Sequence, residues 1–213
     1  QATEAEVAEA QPRARLISKD VAMLAAEDIC LEAGCQLLYH HQLVDVVLDG
    51  RDITALVLAS KSGYTAVRAK MVVDCTGDGD AAALAGNPFE KGGPSGNCQP
   101  MTLCFKLGNV DQSRTPDRKT ITERYVAAKE RGEIECPRED VLAFGWLRDD
   151  VVHFNTTRVV GKDATNGIDL SQAEIMARRQ VRQYLTFFRR EIPGFEQAEI
   201  HSVAHHIGVR ESR

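Results

Sequence analysis

What the chain lacks narrows it first. No apolar run approaches the roughly 20 residues needed to cross a bilayer, so no membrane span is expected. There is no basic surplus either: 26 Lys and Arg stand against 31 Asp and Glu, for a net charge of -5. The basic residues are scattered rather than striped, which argues against a nucleic-acid surface. A GxSxG elbow, a Walker loop and a local signature for a cysteine nucleophile are all missing, and with them the chemistries they carry. None of the six cysteines (Cys30, Cys35, Cys75, Cys98, Cys104 and Cys136) forms a CxxC pair. Several sit in apolar runs, so most are expected as small buried hydrophobes in a reducing compartment, with the cytoplasm favoured. Neither an internal repeat nor a low-complexity tract occurs. The opening "QATEAEVAEAQPRAR" has no initiator Met, basic leader or apolar core, and so is no signal peptide. Together with the ending "GVRESR", it leads us to expect an excised piece of a longer protein.

What is present reads as a mixture of helices and strands. Residues 1 to about 16 form a polar lead-in. Ser18 can cap a helix from about Lys19 to Ala33, with Val21, Leu24, Ala25 and Ile29 on one face and Gly34 as a left-handed stop. Three strand-like runs follow, "QLLYHHQLVDVVLD", "DITALVLAS" and "YTAVRA", separated by the hairpin signals "DGRD" and "KSG". "KMVVD" has little interior polarity, as expected of a strand covered on both faces. The loop-like "NPFEKGGPSGN" marks a domain crossing. Beyond it lie a strand-like "MTLCFKLGNV", a helix near Pro116–Arg131 and a hairpin at "FGWLRDDVVHFN". A capping box at Ser171-Gln-Ala-Glu174 then opens a helix reaching about Glu191, and a last strand-like "AEIHSVAHHIGV" precedes the end.

The stretch "MVVDCTGDGDAAALAG" admits three readings. A calcium loop needs a bidentate Glu at its twelfth position, where this chain has Ala85; that reading fails. A plain strand-to-helix turn, with Asp78 or Asp80 as helix cap, is possible. So is a cofactor turn, in which a parallel strand ending at Asp74 brings Thr76 and Gly77 to the carboxyl edge of a sheet. Gly77 then lets a bulky dinucleotide approach, and Asp78 and Asp80 serve sugar hydroxyls rather than phosphates. These residues alone leave the last two readings open.

The string resembles the hydrophobic-run-D-A-T-G-D-G-D segment of flavoproteins with the glutathione-reductase-like FAD-binding fold. The wider chain resembles a bacterial family of FAD-dependent oxidoreductases. The resemblance is carried by "ICLEAGCQLLYHHQLVDVV", "SKSGYTAVRAKMVVDCTGDGDAAALAG", "GNCQPMTLCFKLGNVD", "HFNTTRVVGKDAT" and "HHIGVRESR", in order from about Asp20 to Arg213. In that family an N-terminal GxGxxG holds the pyrophosphate; none occurs here. The dinucleotide finger and the C-terminal return are therefore expected to lie outside this piece.

The resemblance implies FAD as cofactor, with Val44, Thr76, Gly77 and Asp78 as contacts. Gln99 and Thr102 would face the flavin from the domain crossing. For Val44 a sheet-core valine is the competing reading; for Gln99 and Thr102 it is a loop-to-strand junction. In "NTTR", Asn155 and Arg158 are substrate-pocket candidates, since Arg clamps a carboxylate with two donors; a solvated strand arginine is the alternative. His206 and Arg210 are the candidate catalytic groups. Arg210, Glu211 and Arg213 can bind flavin or substrate anions, or pair with one another. No metal site is expected, because the adjacent pairs His40-His41 and His205-His206 point to opposite faces of a strand.

The fold class expected is α+β: a fragment of an α/β FAD-binding domain with a three-stranded meander, plus a mixed-sheet substrate-side domain. The boundaries are 1–16 lead-in, 17–92 partial FAD-binding domain, 93–200 substrate-side domain and 201–213 return towards the FAD-binding domain. The function expected is part of a flavin-dependent oxidoreductase in which FAD accepts a hydride or electrons from a small organic substrate. The alternatives are a non-catalytic binding or interaction module whose flavin site is incomplete, and a family member that has lost its cofactor.

Overall fold

A computed structural model describes residues 18–94 and 96–213; the polar lead-in lies outside them. Two compact units divide the chain, Gln1–Tyr39 and His40–Arg213.

In the first unit, helix α1 spans Lys19–Glu32. Ser18 sits at its N-cap with extended backbone but makes no side-chain capping bond, and Gly34 follows the C-terminus at φ +72°. The expected helix and stop are both present. The Tyr39 hydroxyl donates to the Glu27 carboxylate at 2.7 Å.

The second unit opens with an antiparallel meander of β1 (Gln42–Asp49), β2 (Asp52–Ser60) and β3 (Gly63–Val67). The strand-like run starting at Gln36 becomes a strand only at Gln42, because a turn intervenes in which His40 takes φ +58°. Asp49 faces Asp52 across the first hairpin, whose "DGRD" supplies Gly50 at φ +61°. One register shift falls between Leu43 and Asp45, making Val44 the extra residue of a β-bulge.

The expected strand at "KMVVD" does not form. Residues 71–74 pair with no strand among the described residues, and Met71 and Val73 are each 78% exposed. An extended segment becomes a strand only when a neighbour completes its ladder of N–H and C=O groups. Here the chain passes directly into a turn and the short helix α2 (Asp80–Leu84), which packs against β1.

The main core lies between a four-stranded sheet and two helices. Strands β4 (Phe105–Gly108), β5 (Ala143–Gly145), β6 (Val152–Phe154) and β7 (Glu199–Val203) are ordered β5-β6-β4-β7, and every neighbouring pair is antiparallel. The sheet expected to be mixed is thus wholly antiparallel, while the α+β class stands. Helix α3 is Arg118–Glu130, capped by the Asp117 carboxylate on Thr120 N. Helix α4 is Gly167–Glu191 and starts one turn before the expected capping box, because Asn166 accepts from both Ile168 N and Asp169 N. Glu174 is thereby freed to accept the Ile207 amide at 2.7 Å.

The buried face of α4 repeats at helical spacing: Ala173, Ala177, Gln180, Val181, Tyr184, Phe187 and Phe188. Its aromatics interlock with the sheet. Phe105 stacks on Phe154 at 4.9 Å, and Phe154 meets Phe188 at 4.8 Å. Tyr184 stacks on Tyr125 of α3 at 5.6 Å and donates a hydrogen bond to its hydroxyl. Burial pushes both phenols above their ordinary pKa. All six cysteines are free thiols, but the expectation that most are buried fails, since Cys136 alone is buried. A small apolar side chain goes inside only where its element faces the core.

Candidate functional site

The turn after Met71–Asp74 builds itself from its own side chains. The Asp74 carboxylate accepts from Thr76 N (3.0 Å), Thr76 Oγ1 (2.7 Å) and Ala82 N (3.1 Å), and so also caps α2. Those bonds, chiefly the ones from Thr76, hold its carboxyl below the usual carboxylate range. Thr76 Oγ1 accepts in turn from Asp80 N at 3.0 Å. Gly77 and Gly79 stand at φ +84° and +65°, a region L side chains avoid. No atom lies within 4 Å of where a Cβ on Gly77 would stand. The glycine is required by its backbone angle, and the space before it is open.

The chain's last residues close over this turn. Ser212, 3% exposed, donates its hydroxyl to the Asp78 carboxylate. Arg213 donates to the Asp78 carbonyl at 3.2 Å, pairs with Asp80, and holds its guanidinium 5.5 Å from the Phe89 ring centroid. Glu211 accepts the Gln99 amide at 2.8 Å, and Gly208 exchanges backbone bonds with Thr102. The structure therefore brings Asp78, Asp80, Gln99 and Thr102 together around residues 208–213. Arg213 and Glu211 are engaged with this cluster rather than with each other.

The other candidates lie elsewhere. Val44 is bulged and 38% exposed, so it is not a core valine; bulges of this kind re-aim a strand beside binding sites. In "NTTR" the two threonines are the buried members. Thr157 Oγ1 accepts from Leu103 N at 2.7 Å and donates to Leu103 O at 3.0 Å. The Gln180 amide does the same for Arg158, with both bonds at 2.8 Å to its backbone. The Asn155 amide and the Arg158 guanidinium, both half-buried, make no hydrogen bond or ion pair among the described residues. His206 and Arg210 are exposed. Among the described residues, no group of three His, Cys, Asp or Glu could hold a metal ion, and no helix is long and apolar enough to cross a membrane.

Ser212 was missed by sequence reasoning. It sits within "RESR", where the flanking charges draw attention and the small hydroxyl residue does not. The Lys91–Asp163 ion pair, 2.7 Å long, was also missed; it lines a polar cleft of about 170 Å³ with Asn97, Cys98 and Lys162.

Fold and site together define an α+β protein with an exposed, glycine-bearing turn clamped from the far end of the chain. The chain belongs to the FAD dependent oxidoreductase family, which it matches over residues 1–213. Among solved structures it is similar to p-nitrophenol 4-monooxygenase PnpA from Pseudomonas putida DLL-E4, at TM-score 0.50 and 13% identity. That match covers 92% of this chain and 43% of the other, so the chain spans less than half the length of that structure. At such identity the likeness is one of fold. A comparison with curated proteins finds no match.

FAD is the family's cofactor, and the turn fits it on one side. Gly77 leaves room for a bulky group, and the Asp78 carboxylate keeps acceptor positions beyond the Ser212 bond. Carboxylates at this turn suit sugar or ribityl hydroxyls and repel phosphates. The strict GxGxxG string does not occur in the sequence.

Proposed function

We propose that this chain supplies the substrate-side portion, and part of the FAD-binding portion, of an oxidoreductase acting on a small organic substrate. The observation that carries the reading is the clamp of Ser212 and Arg213 on the Asp78–Asp80 turn. It ties Ser212 and Arg213 to a turn whose glycine backbone leaves room for a cofactor. In this reading residues 17–92 belong to the FAD-binding domain, 93–200 to the substrate side, and 201–213 return to the cofactor. In this reading the pyrophosphate is held by a segment outside these 213 residues, which contain no GxGxxG.

When bound, FAD supplies the acceptor for a hydride or electrons. The chain's own residues do the rest. Val44 and Gly77 give backbone surface against the cofactor. Asp78, fixed by Ser212, accepts from its hydroxyls; Thr76 shapes the turn and leaves its own hydroxyl inside it. Gln99 and Thr102 border the junction between the two portions. Arg158, with no ion-pair partner among the described residues, offers a two-pronged donor to a substrate carboxylate, and Asn155 a neutral amide beside it. His206 and Arg210, both solvent-facing, are the candidates for moving a proton and steadying negative charge during turnover.

A visible absorption spectrum of the intact parent protein, taken beside this chain, tests the proposal. The expected result is a yellow parent that releases FAD on denaturation and a colourless chain. A colourless parent that cannot be reconstituted with FAD overturns it. A parent reading frame that also lacks an upstream GxGxxG would then favour a non-catalytic binding module, or a family member without its cofactor.

A further inference from the structure

Large side chains close most of the core, but not at one edge of the four-stranded sheet. Strand β5 is that edge, with no partner on its outer side among the described residues. Register sets Ala143 abreast of Phe154 and Gly145 abreast of Val152. Both small residues therefore face the side of the sheet that packs on the core. The hollow they border measures about 240 Å³. Its floor is apolar, made by Ile121 of α3, Val152 of β6, Phe188 of α4 and Phe195 just past α4. All four are core residues. Nothing in the backbone demands glycine at 145: its φ is not left-handed, and no atom lies within 4 Å of an added Cβ. A strand glycine of this kind weakens its strand and marks a place that another group approaches closely.

The rim is polar, with Gln112 and Thr115 upon it. Gln112 spends one amide proton on the Asp149 carbonyl, and Thr115 spends its hydroxyl proton on the Asp111 carbonyl at 3.3 Å. Left over are two acceptor oxygens, Gln112 Oε1 and Thr115 Oγ1, against a single amide proton. The surroundings are acidic as well. Gln112 also lines a second hollow, with Asp111, Asp149 and Asp150. Arg148 answers Asp150 at 2.8 Å, and Arg114 is engaged with Glu196. The charge that remains around the rim is negative.

We propose that this hollow at the β5 edge binds a small neutral molecule with one aromatic ring and a hydroxyl or amine donor. The ring enters past Gly145 and lies against Phe188 and Phe195, where offset and edge-on contacts between flat groups are favourable. The donor arm stays at the rim and gives its proton to Gln112 Oε1 or Thr115 Oγ1. Size agrees: a cavity of about 150 Å³ lined by Leu, Ile and Phe holds benzene, so the volume here takes a ring and a short polar arm. A carboxylate is the wrong partner, since it brings more negative charge to an acidic rim that is rich in acceptors. This site does not rest on the oxidoreductase reading above, because none of its residues is assigned there to flavin or substrate.

The test titrates the isotope-labelled chain with benzyl alcohol and follows the amide resonances of Thr115, Gly145 and Phe195 by NMR. The expected result is a saturable shift at all three, half complete at roughly a few millimolar or below. Benzoate should bind weaker by about tenfold or more. Anisole, an isomer of benzyl alcohol without the donor, reads the rim. Replacing both acceptors, in Gln112→Met with Thr115→Val, should cut the preference for benzyl alcohol over anisole by about threefold or more, the margin of one neutral hydrogen bond. Gly145→Leu puts a side chain in the mouth and should abolish the shifts with the circular dichroism unchanged. The proposal is overturned if benzyl alcohol gives no saturable shift at these amides up to roughly tens of millimolar. It is equally overturned if benzoate binds as well, if the preference survives the loss of both acceptors, or if a folded Gly145→Leu still binds. Should the variants fail to fold, benzyl alcohol against benzoate on the unmodified chain decides alone. A colourless parent protein would leave this result standing, so the two proposals fail separately.

Discussion

The Ser212 hydroxyl donates to the Asp78 carboxylate across 134 residues of sequence, and Arg213 follows with bonds to the Asp78 carbonyl and the Asp80 carboxylate. A turn held internally by Asp74 and Thr76 is in this way also held from outside. Removing the outer hold should loosen the turn without dissolving the fold. Ser212→Ala loses a bond to a charged acceptor, a local cost of about 1–2 kcal/mol. Hydrogen exchange at the amides of Asp78–Ala82 is expected to quicken about tenfold, while amides of the α4 core stay protected. Unchanged exchange would mean that the clamp does not hold the turn.

Gly77 and Gly167 make a matched pair for testing backbone conformation. Neither has an atom within 4 Å of an added Cβ, but Gly77 stands at φ +84° and Gly167 begins helix α4. Gly77→Ala should destabilise its segment by about 1–2 kcal/mol through left-handed strain alone. Gly167→Ala should stabilise by roughly 0.5 kcal/mol through a better helix former. Urea unfolding of both variants reads the two signs; the same sign for both would refute the assignment.

The Tyr184 hydroxyl joins two core residues: its one proton is shared between the Tyr125 hydroxyl and the Thr156 carbonyl, each at 3.1 Å, and it accepts from Thr156 Oγ1. Tyr184→Phe keeps the ring and deletes the hub, leaving buried groups unmatched at a cost of about 1–3 kcal/mol. Because burial raises this phenol's pKa, the folded protein should show no Tyr184 ionisation through the ordinary tyrosine range. A difference spectrum in alkali checks this, and early ionisation would contradict it.

Lys91 holds Asp163 at 2.7 Å, and with the Thr165 bonds draws its carboxyl down to about 2 from the ordinary 3.8. A lowered carboxyl pKa in the folded state means stability that is present above pH 3.8 and is lost as pH falls towards 2. Both side chains are 35% exposed, so solvent screening keeps the pair below about 1 kcal/mol. Lys91→Met should cost that much at pH 6 and much less at pH 2, where the Asp163 carboxyl is about half protonated. An equal cost at both would show that Lys91 acts through packing instead.

Much of the local structure was legible beforehand. The stop at Gly34, the "DGRD" hairpin, the "FGWLRDDVVHFN" hairpin and the period of α4 each depend on residues close in the chain. The start of α4 was misjudged because two capping signals competed. Asn166 reaches two amides, and so wins over Ser171, whose hydroxyl instead returns to the Gly167 carbonyl. Val44 was hidden for another reason. An alternating apolar run does not announce where its partner strand skips a residue.

The sequence by itself determined the family and the closed form of the turn at 74–80, because "DCTGDGD" closes on its own atoms: every bond from Asp74 and Thr76 spans eight residues or fewer. Such contacts cost little loop-closure entropy and are specified by spacing. Tertiary structure alone decided that residues 71–74 stand unpaired and that the second sheet runs β5-β6-β4-β7. It also decided that Ser212 meets Asp78 and that Lys106, Trp146 and His153 come together. Those relations join residues far apart in the chain, and they form only because burying the Phe105–Phe154–Phe188 core fixes the strand order that brings them together.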